Sequence, residues 1–210
     1  MVAANRARCG LLVVSATLIA SGCGGASDSE STYALVDPDV YQTYRDYSGY
    51  RRADIPSAQF TTSSGVRCRI GPNSGDYPAG THCWGALPGV APTINIAVVS
   101  AFAHDNDTQA MITTTQVPDG RKTYAFFYHS DDVGQLETYQ DRALRRHPVD
   151  PASYRLLAAG QKIIVKDPFR PSASSVCAIG TDDTITCEIR PADDGRVHGF
   201  RLSPSGSRTY

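Results

Sequence analysis

The residues in this chain best suited to acid–base chemistry are its histidines. They are His82, His104, His129, His147 and His198. His104 stands beside Asp105, and such a pair is half of the arrangement that activates a nucleophile. Adjacent loop residues rarely point together, however, and no Ser or Cys partner is indicated. The patterns Gly-x-Ser-x-Gly, Ser-x-x-Lys and His-Glu-x-x-His are all missing from the sequence. We therefore expect solvated polar histidines and no catalytic residues, with an envelope hydrolase that uses His104 or His129 as the alternative.

Metal-binding patterns are equally weak. The run Asp105-Asn106-Asp107 begins like a calcium loop, but Ala110 takes the sixth position, which needs glycine for a sharp turn. The cysteines lack the close Cys-x2-Cys pairs that are typical of zinc sites. A Gly-rich phosphate loop is also lacking. The sequence predicts no metal site and no cofactor.

The N-terminal segment reads as a signal peptide over residues 1–22. Arg6 and Arg8 precede an apolar run of ten residues, Leu11 to Ala20, which is half the roughly 20 residues that span a bilayer. The run ends in Ala20-Ser21-Gly22-Cys23, which resembles the lipobox of bacterial lipoproteins. The resemblance implies cleavage before Cys23 and a diacylglyceryl group on its sulfur. We expect an exported chain, anchored by lipid at the outer face of the cytoplasmic membrane, in the cell envelope; simple secretion is the alternative.

The mature chain divides into a short linker and one domain. Residues 23–32 contain no large apolar side chain after the cysteine and are predicted to form a flexible tether. Residues 33–210 are enough for a single well-cored domain. Removing Arg6 and Arg8 from the 20 basic residues leaves 18 against 21 acidic ones, a net charge of −3. Because these charges are scattered, the sequence predicts no nucleic-acid partner.

Four cysteines remain in the domain after Cys9 and Cys23 are set aside. An even number in an exported chain predicts disulfides, and four cysteines allow three pairings. Spacing favours Cys68–Cys83 and Cys177–Cys187.

Each predicted disulfide closes a hairpin. In the first, Val66, Cys68 and Ile70 alternate with arginines, and Ile70 faces Thr81 across a loop over residues 71–80. In the second, Ile179 faces Ile185 across a three-residue loop, Thr181 to Asp183. A Phe-x-x-Ser run near a Ser-Gly occurs in both halves of the chain, but it is too short to indicate a repeat.

Two helices and further strands complete the prediction. One helix covers residues 36–50, with Asp37 as N-cap, Pro38 in the first turn and tyrosines at every third position from Tyr41 to Tyr50. The other covers residues 130–146, where helical spacing gives an apolar face of Val133, Leu136, Tyr139, Ala143 and Leu144. Arg145, Arg146 and His147 suit the dipole at its C-terminal end. The further predicted strands are 93–99, 111–117, 122–128, 161–166 and 199–203, with a turn at 118–121. The fold class is β-rich, mainly antiparallel hairpins with one or two helices, an α+β fold with two disulfides.

Part of the chain resembles a group of exported proteins. The run Phe60-Thr-Thr-Ser-Ser-Gly65-Val-Arg-Cys68, then Cys83-Trp-Gly, and the later Cys177…Cys187…Gly199-Phe200 are similar to those of exported actinobacterial proteins, mycobacterial types especially. Those proteins are mostly secreted or lipid-anchored and of unknown function. The resemblance implies an envelope location and carries no catalytic residues.

Three functions follow from these observations. The first is a non-catalytic, lipid-anchored binding module whose partner is an envelope protein, glycan or lipid. The second is the hydrolase with His104 or His129 as acid–base. The third is a structural or assembly factor. The lack of catalytic motifs, together with Cys23 and the disulfides, favours the first.

Overall fold

A computed structural model describes residues 33–48, 52–72, 79–104, 123–166, 174–190 and 196–210. All of them belong to one compact unit. The predicted signal peptide, the lipidation site Cys23, the tether and the calcium-like run at 105–110 lie outside the described residues. The predictions made for them therefore stay predictions.

Two six-stranded β-sheets pack face to face as a sandwich. Sheet 1 contains, in spatial order, β1 (Ala34–Val36), β12 (Gln161–Lys166), β13 (Ser174–Ile179), β14 (Ile185–Arg190), β15 (His198–Leu202) and β16 (Arg208–Thr209). Sheet 2 contains β11 (Arg155–Leu156), β4 (Ala58–Thr61), β5 (Arg67–Pro72), β6 (Ala79–Trp84), β7 (Ile96–His104) and β8 (Thr123–Tyr128). The predicted β-rich, mainly antiparallel fold is confirmed.

Within the described ranges, two small hairpins and three short 3-10 helices lie outside the sheets. The hairpins are β2 (Asp46–Ser48) with β3 (Ala53–Ile55), and β9 (Thr138–Gln140) with β10 (Arg146–Pro148). The 3-10 helices are Pro38–Tyr41, Val133–Glu137 and Pro151–Ser153. None of the helices in the described part of the chain has the length and apolar character that a bilayer crossing requires.

Both predicted disulfides are present and lie in the sandwich core. Cys68 pairs with Cys83 across β5 and β6, and Cys177 pairs with Cys187 across β13 and β14. All four cysteines are fully buried. The Sγ atoms of Cys83 and Cys187 are 3.9 Å apart, so the two bonds touch across the interface between the sheets. The disulfides therefore fix each central hairpin and also contribute to the core that joins the sheets.

The second disulfide hairpin has the predicted register and loop. Ile179 lies opposite Ile185, and the Gly180 amide donates to the Thr184 carbonyl at 2.7 Å. Asp183 closes the loop with a φ of 59°, a left-handed conformation that Asp tolerates better than most residues. In this hairpin, the alternation of apolar and polar residues, the turn residues and the disulfide all favour the same strand register.

Other strands differ from the predictions at their ends. In the first disulfide hairpin Ile70 does face Thr81, but pairing continues to Pro72 and Ala79, inside the predicted loop. The strand expected at 93–99 is β7, which begins later and runs on to His104. The strand expected at 122–128 is β8, which pairs with β7, whereas 111–121 lies outside the described residues. The strands predicted at 161–166 and 199–203 correspond to β12 and β15.

The two halves of the chain have the same strand order. In each sheet an antiparallel meander begins with a short parallel strand at its edge, β1 beside β12 in sheet 1 and β11 beside β4 in sheet 2. The disulfide joins the second and third meander strands in both sheets. Each edge strand comes from the other half of the chain. Strand order and disulfide position thus repeat, with exchanged edge strands. The Phe-x-x-Ser runs do not follow this repeat, because Phe60 lies on the first meander strand of sheet 2 and Phe200 on the fourth of sheet 1.

The helix predicted over residues 36–50 is wrong. Asp37 does cap a helical turn, and its side chain accepts from the Asp39 amide at 3.0 Å, but that turn ends at Tyr41. The tyrosines explain the difference, since a spacing of three does not keep side chains on one face of an α-helix. Tyr41 packs into the sandwich core, whereas Tyr44 packs on the outside of sheet 2. Extended backbone after Tyr41 allows the two rings to enter different layers.

The longer helix predicted over residues 130–146 is also wrong. A 3-10 helix at Val133–Glu137 is followed by the β9–β10 hairpin. Asp141 turns the chain because its Oδ1 accepts from the backbone amides of Ala143 and Arg145, at 2.8 and 2.9 Å. Such local side-chain bonds compete with helical ones. Leu144 then adopts a φ of 61°, which an α-helix cannot contain.

Candidate functional site

Of the two histidines proposed as alternative acid–base residues, His129 has a described side chain, and it lies at the surface. His104 is the last residue of β7, and its neighbour Asp105 lies outside the described residues. The Nε2 atom of His129 is 2.8 Å from Asp131 Oδ1, but these side chains are 45% and 97% exposed. Acid–base catalysts are expected in clefts, where substrate can be held against them. The pair therefore has the character of a surface contact.

Metal ligation finds equally little support in the described ranges. Across them, no three His, Cys, Asp or Glu side chains are grouped closely enough to hold a metal ion.

The outer face of sheet 2 carries a second apolar cluster, separate from the sandwich core. Its members are Tyr44, Trp84, Ile96, Val98, Phe126, Tyr128, Val149 and Tyr154. The segments that cover it are residues 41–48 and 129–157. We call the β2–β3 and β9–β10 hairpins, which lie side by side there, the hairpin cap.

Buried polar bonds fix the hairpin cap to sheet 2. Arg69, only 3% exposed on β5, donates to the Tyr44 hydroxyl at 3.1 Å and to the Thr138 carbonyl at 3.3 Å. The Trp84 indole donates to Glu137 Oε1 at 2.9 Å. These charge-assisted and buried bonds hold the start of β9 in place, and bonds of this kind are stronger than exposed ones.

Phenol groups under the hairpin cap stay neutral. Burial raises the pKa of Tyr128 to about 12, and burial likewise raises the pKa of Tyr44 and of Tyr154. The Tyr154 ring meets Trp84 edge to face, with centroids 6.2 Å apart. A wholly packed aromatic layer therefore supports the cap.

The two hairpins of the cap are joined by polar contacts. The Gln140 amide donates to Asp46 Oδ1 at 2.8 Å, and Asp46 is buried. Arg142 binds the Asp54 carboxylate through two nitrogens, with Nε 3.1 Å from Oδ1. That guanidinium lowers the pKa of Asp54. The hairpins thus form one surface.

An aromatic stack runs outward through the cap. The centroid of the Tyr139 ring lies 5.2 Å from that of Tyr44 and 5.2 Å from that of His147, and both pairs are stacked. Asp141 Oδ2 bonds to His147 Nε2 at 2.9 Å. The Tyr139 ring is therefore already engaged by two aromatic neighbours.

The tip of the β9–β10 hairpin is held rigidly by Asp141. Its carboxylate accepts from the Arg145 backbone amide and from His147, and these bonds hold the pKa of Asp141 well below its usual range. The Arg145 side chain adds a further bond at 3.0 Å. Leu144 projects from this tip, 53% exposed and in the left-handed conformation. A fixed apolar side chain is therefore presented to solvent.

The hairpin cap is positively charged although the chain as a whole is slightly acidic. Residues 45–48, 52–55 and 138–148 contain three aspartates and five arginines, and all five arginines are exposed. The arginines are Arg45, Arg52, Arg142, Arg145 and Arg146. The net charge of this surface is +2 with His147 neutral. Arg142 and Arg145 flank Leu144 and are 77% and 73% exposed.

The sequence pattern identifies only part of this surface. It assigns Arg145, Arg146 and His147 to a helix dipole, and with no helix there that explanation no longer applies. It assigns Leu144 to the apolar face of the same helix. The exposure of Leu144 follows from the turn at Asp141. In the sequence, the only trace of that turn is Asp141 four residues before Arg145, and this spacing does not by itself indicate a turn.

Comparisons with known proteins add no further assignment. Family models, curated proteins and solved structures were each searched, and none matches this chain.

Proposed function

We propose that this chain is a lipid-anchored envelope protein whose folded unit is a non-catalytic binding module, and that the hairpin cap binds an acidic partner protein. The observation that carries the proposal is Leu144, an exposed apolar residue in a strained backbone conformation between exposed arginines.

The strain at Leu144 supports a functional role for the tip. A left-handed conformation costs a residue with a Cβ about 1–2 kcal/mol. Strain of this kind persists where the surroundings impose it, and it is concentrated at binding and catalytic sites. Asp141 imposes it here through its bonds to Ala143 and Arg145. The result is an apolar side chain displayed at a fixed position.

The chemistry of the tip favours a protein partner. Arginine is enriched in protein interfaces because its long side chain combines apolar contact with directional hydrogen bonds. Leu144 requires an apolar pocket in the partner, and the net charge of +2 requires acidic residues around that pocket. A glycan would instead favour an open aromatic ring face, and Tyr139, the aromatic residue of β9, already stacks on Tyr44 and His147.

Export and anchoring rest on different observations. Two buried disulfides support an oxidising compartment, because such bonds rarely persist in the cytosol. The lipobox-like run that ends at Cys23 supports acylation there. On this proposal the chain acts at the outer face of the cytoplasmic membrane.

Acylation is tested by mass spectrometry of the N-terminal peptide from the membrane fraction of producing cells. We expect a diacylglyceryl group on Cys23 and no residues before it. The Cys23→Ala variant should lack the lipid and leave the membrane fraction. A full-length, unmodified N-terminus in the membrane fraction would contradict the anchor.

Partner binding is tested with a photo-crosslinking amino acid at position 144 of the full chain in those cells. Position 156 is the matched control, because Leu156 is 52% exposed against 53% for Leu144 and has ordinary backbone geometry. We expect a protein adduct at 144 and none at 156.

A charge variant completes this test. Arg146→Glu should lower the adduct yield at least fivefold, whereas Arg155→Glu, also exposed, should leave it unchanged. Equal adducts at positions 144 and 156, or adducts to lipid alone at 144, would refute the assignment of the hairpin cap to a protein partner.

A further inference from the structure

The outer face of sheet 1 differs from that of sheet 2, because the apolar cluster and the two hairpins of the described residues lie on sheet 2. On β12, Ile163 and Val165 point into the core, so Lys162 and Lys166 point to the outer face. On β15, Phe200 points inward and Arg201 outward by the same alternation.

The register aligns several of these outward residues in one row across the sheet. Lys162 lies opposite Ala178, Ala178 opposite Thr186, Thr186 opposite Arg201, and Arg201 opposite Arg208. Between the cations the row therefore contains only small side chains.

Arg201 and Arg208 are an unfavourable pair in the isolated fold. Like charges directly opposite each other on neighbouring antiparallel strands repel, and this destabilises the sheet. Asp182 is 4.0 Å from Arg201 but is itself 63% exposed, and Glu188 accepts from the Tyr210 hydroxyl at 2.6 Å. This face thus includes four cations and the carboxylate of Glu188, and an anion bound over Arg201 and Arg208 would relieve their repulsion. The four are Lys162, Lys166, Arg201 and Arg208.

The edge of the same row carries an exposed apolar residue close to the predicted anchor. Leu35 of β1 lies opposite Lys162, and because Val36 packs on the core, Leu35 points to the outer face. It is 63% exposed, the largest value among the large apolar side chains of the described residues. Between Cys23 and Ala34 there are ten residues, which can span at most about 35 Å. An acyl group on Cys23 would therefore keep this edge of sheet 1 near the bilayer.

We propose that the outer face of sheet 1 docks on the anionic phospholipid headgroups of the membrane that holds the anchor. Arg201, Arg208 and Lys166 contact phosphates, and Leu35 enters the headgroup region. The hairpin cap, which lies on the outer face of the opposite sheet, then points away from the bilayer toward its partner. This orientation rests on the proposed lipid anchor.

Vesicle binding by the non-acylated Cys23→Ser chain tests the face without the lipid. In co-sedimentation we expect binding to vesicles of phosphatidylcholine with about 30% phosphatidylglycerol, and none to phosphatidylcholine alone or in about 0.5 M NaCl, because salt and neutral lipid both remove charge-driven binding. The variant with Arg201→Glu and Arg208→Glu should bind at least about 10-fold more weakly, since each basic residue near an anionic surface contributes about fivefold.

Matched variants keep this test falsifiable. The pair Arg146→Glu and Arg155→Glu, which removes the same charge elsewhere, should bind as the parent does. Leu35→Ser should weaken binding and Leu156→Ser should not, which gives a second comparison if the double arginine variant misfolds. The proposal would be overturned if both double variants bound vesicles equally, or if the Arg146 and Arg155 pair lost vesicle binding instead. It would also be overturned if the chain bound soluble polyphosphate but no vesicles. Failure of the lipid anchor itself is detected separately, by the mass of the Cys23 peptide.

Discussion

Among the glycines of the described residues that lie outside the core, Gly89 is the one at which an added carbon should do most harm. It lies in the loop between β6 and β7, where the loop crosses the turn between β15 and β16. The Ser207 amide donates to the Gly89 carbonyl at 3.0 Å, and the Ser207 hydroxyl donates to the Pro88 carbonyl at 2.6 Å. This crossing connects the two halves of the chain. We predict that Gly89→Ala destabilises the protein by about 3 kcal/mol.

Two costs make up that value. Gly89 has a φ of 66°, and a residue with a Cβ pays about 1–2 kcal/mol there. The new Cβ would lie 1.9 Å from the Ser203 carbonyl oxygen, whereas Cβ atoms essentially never come within 3.0 Å of another atom. The loop must therefore withdraw by more than an ångström and lose both Ser207 bonds, at about 0.5–1.5 kcal/mol each.

Gly65→Ala is the matched control, because Gly65 has a φ of 80° and no atom lies within 4 Å of the position that its Cβ would take. It should show the backbone cost alone. Any gain from a stiffer unfolded chain is common to both variants and cancels in the difference. Urea unfolding with the disulfides intact should place Gly89→Ala about 2 kcal/mol below Gly65→Ala. A difference under about 0.5 kcal/mol would show that the loop around Gly89 can move without losing stability, and it would refute the reasoning.

Two further predictions concern covalent and electrostatic contacts. Replacing Cys177 and Cys187 with alanine should lower the free energy of unfolding by about 3 kcal/mol, from loop entropy over a separation of 10 residues; a loss under about 1 kcal/mol in urea would contradict this. Asp141→Asn should destabilise the protein at neutral pH. Because the pKa of Asp141 is depressed by folding, its contribution is present above the unfolded pKa of about 3.9 and is lost as the pH falls through the lower folded value. Parent and variant stabilities measured in urea should therefore converge only in strong acid, and convergence by about pH 5 would rule the mechanism out.

The disulfide hairpins were predictable because several local signals favoured the same register. Around Cys177 and Cys187, alternating apolar residues, a short polar loop and the cysteine spacing allow only one pairing that buries both sulfurs. The same holds for Cys68 and Cys83, although the polar composition of residues 71–80 obscured how far the strands continue. In these segments the alternating residues and the strands that pair are close together in the sequence, so the strand register can be predicted from the sequence.

The helices and the hairpin cap were not predictable in the same way. Apolar residues from Val133 to Leu144 have spacings that suit a helix, but the bonds of the Asp141 carboxylate to its own turn decide the structure, and such bonds leave no periodic trace. The exchanged edge strands are two and three residues long and pair in parallel across more than 90 residues of sequence. Segments that short carry too little pattern to reveal a partner so distant.

The exchanged edge strands have a consequence for a chain that is cut. A single nick between β8 and β11 would leave one fragment with β1 and the β4–β8 meander, and another with β11–β16. Neither disulfide bridges the cut, yet each fragment supplies the outermost strand of the other fragment's sheet. The severed pieces should thus migrate apart on a denaturing gel while eluting together under native conditions, as two complementary parts of a split protein.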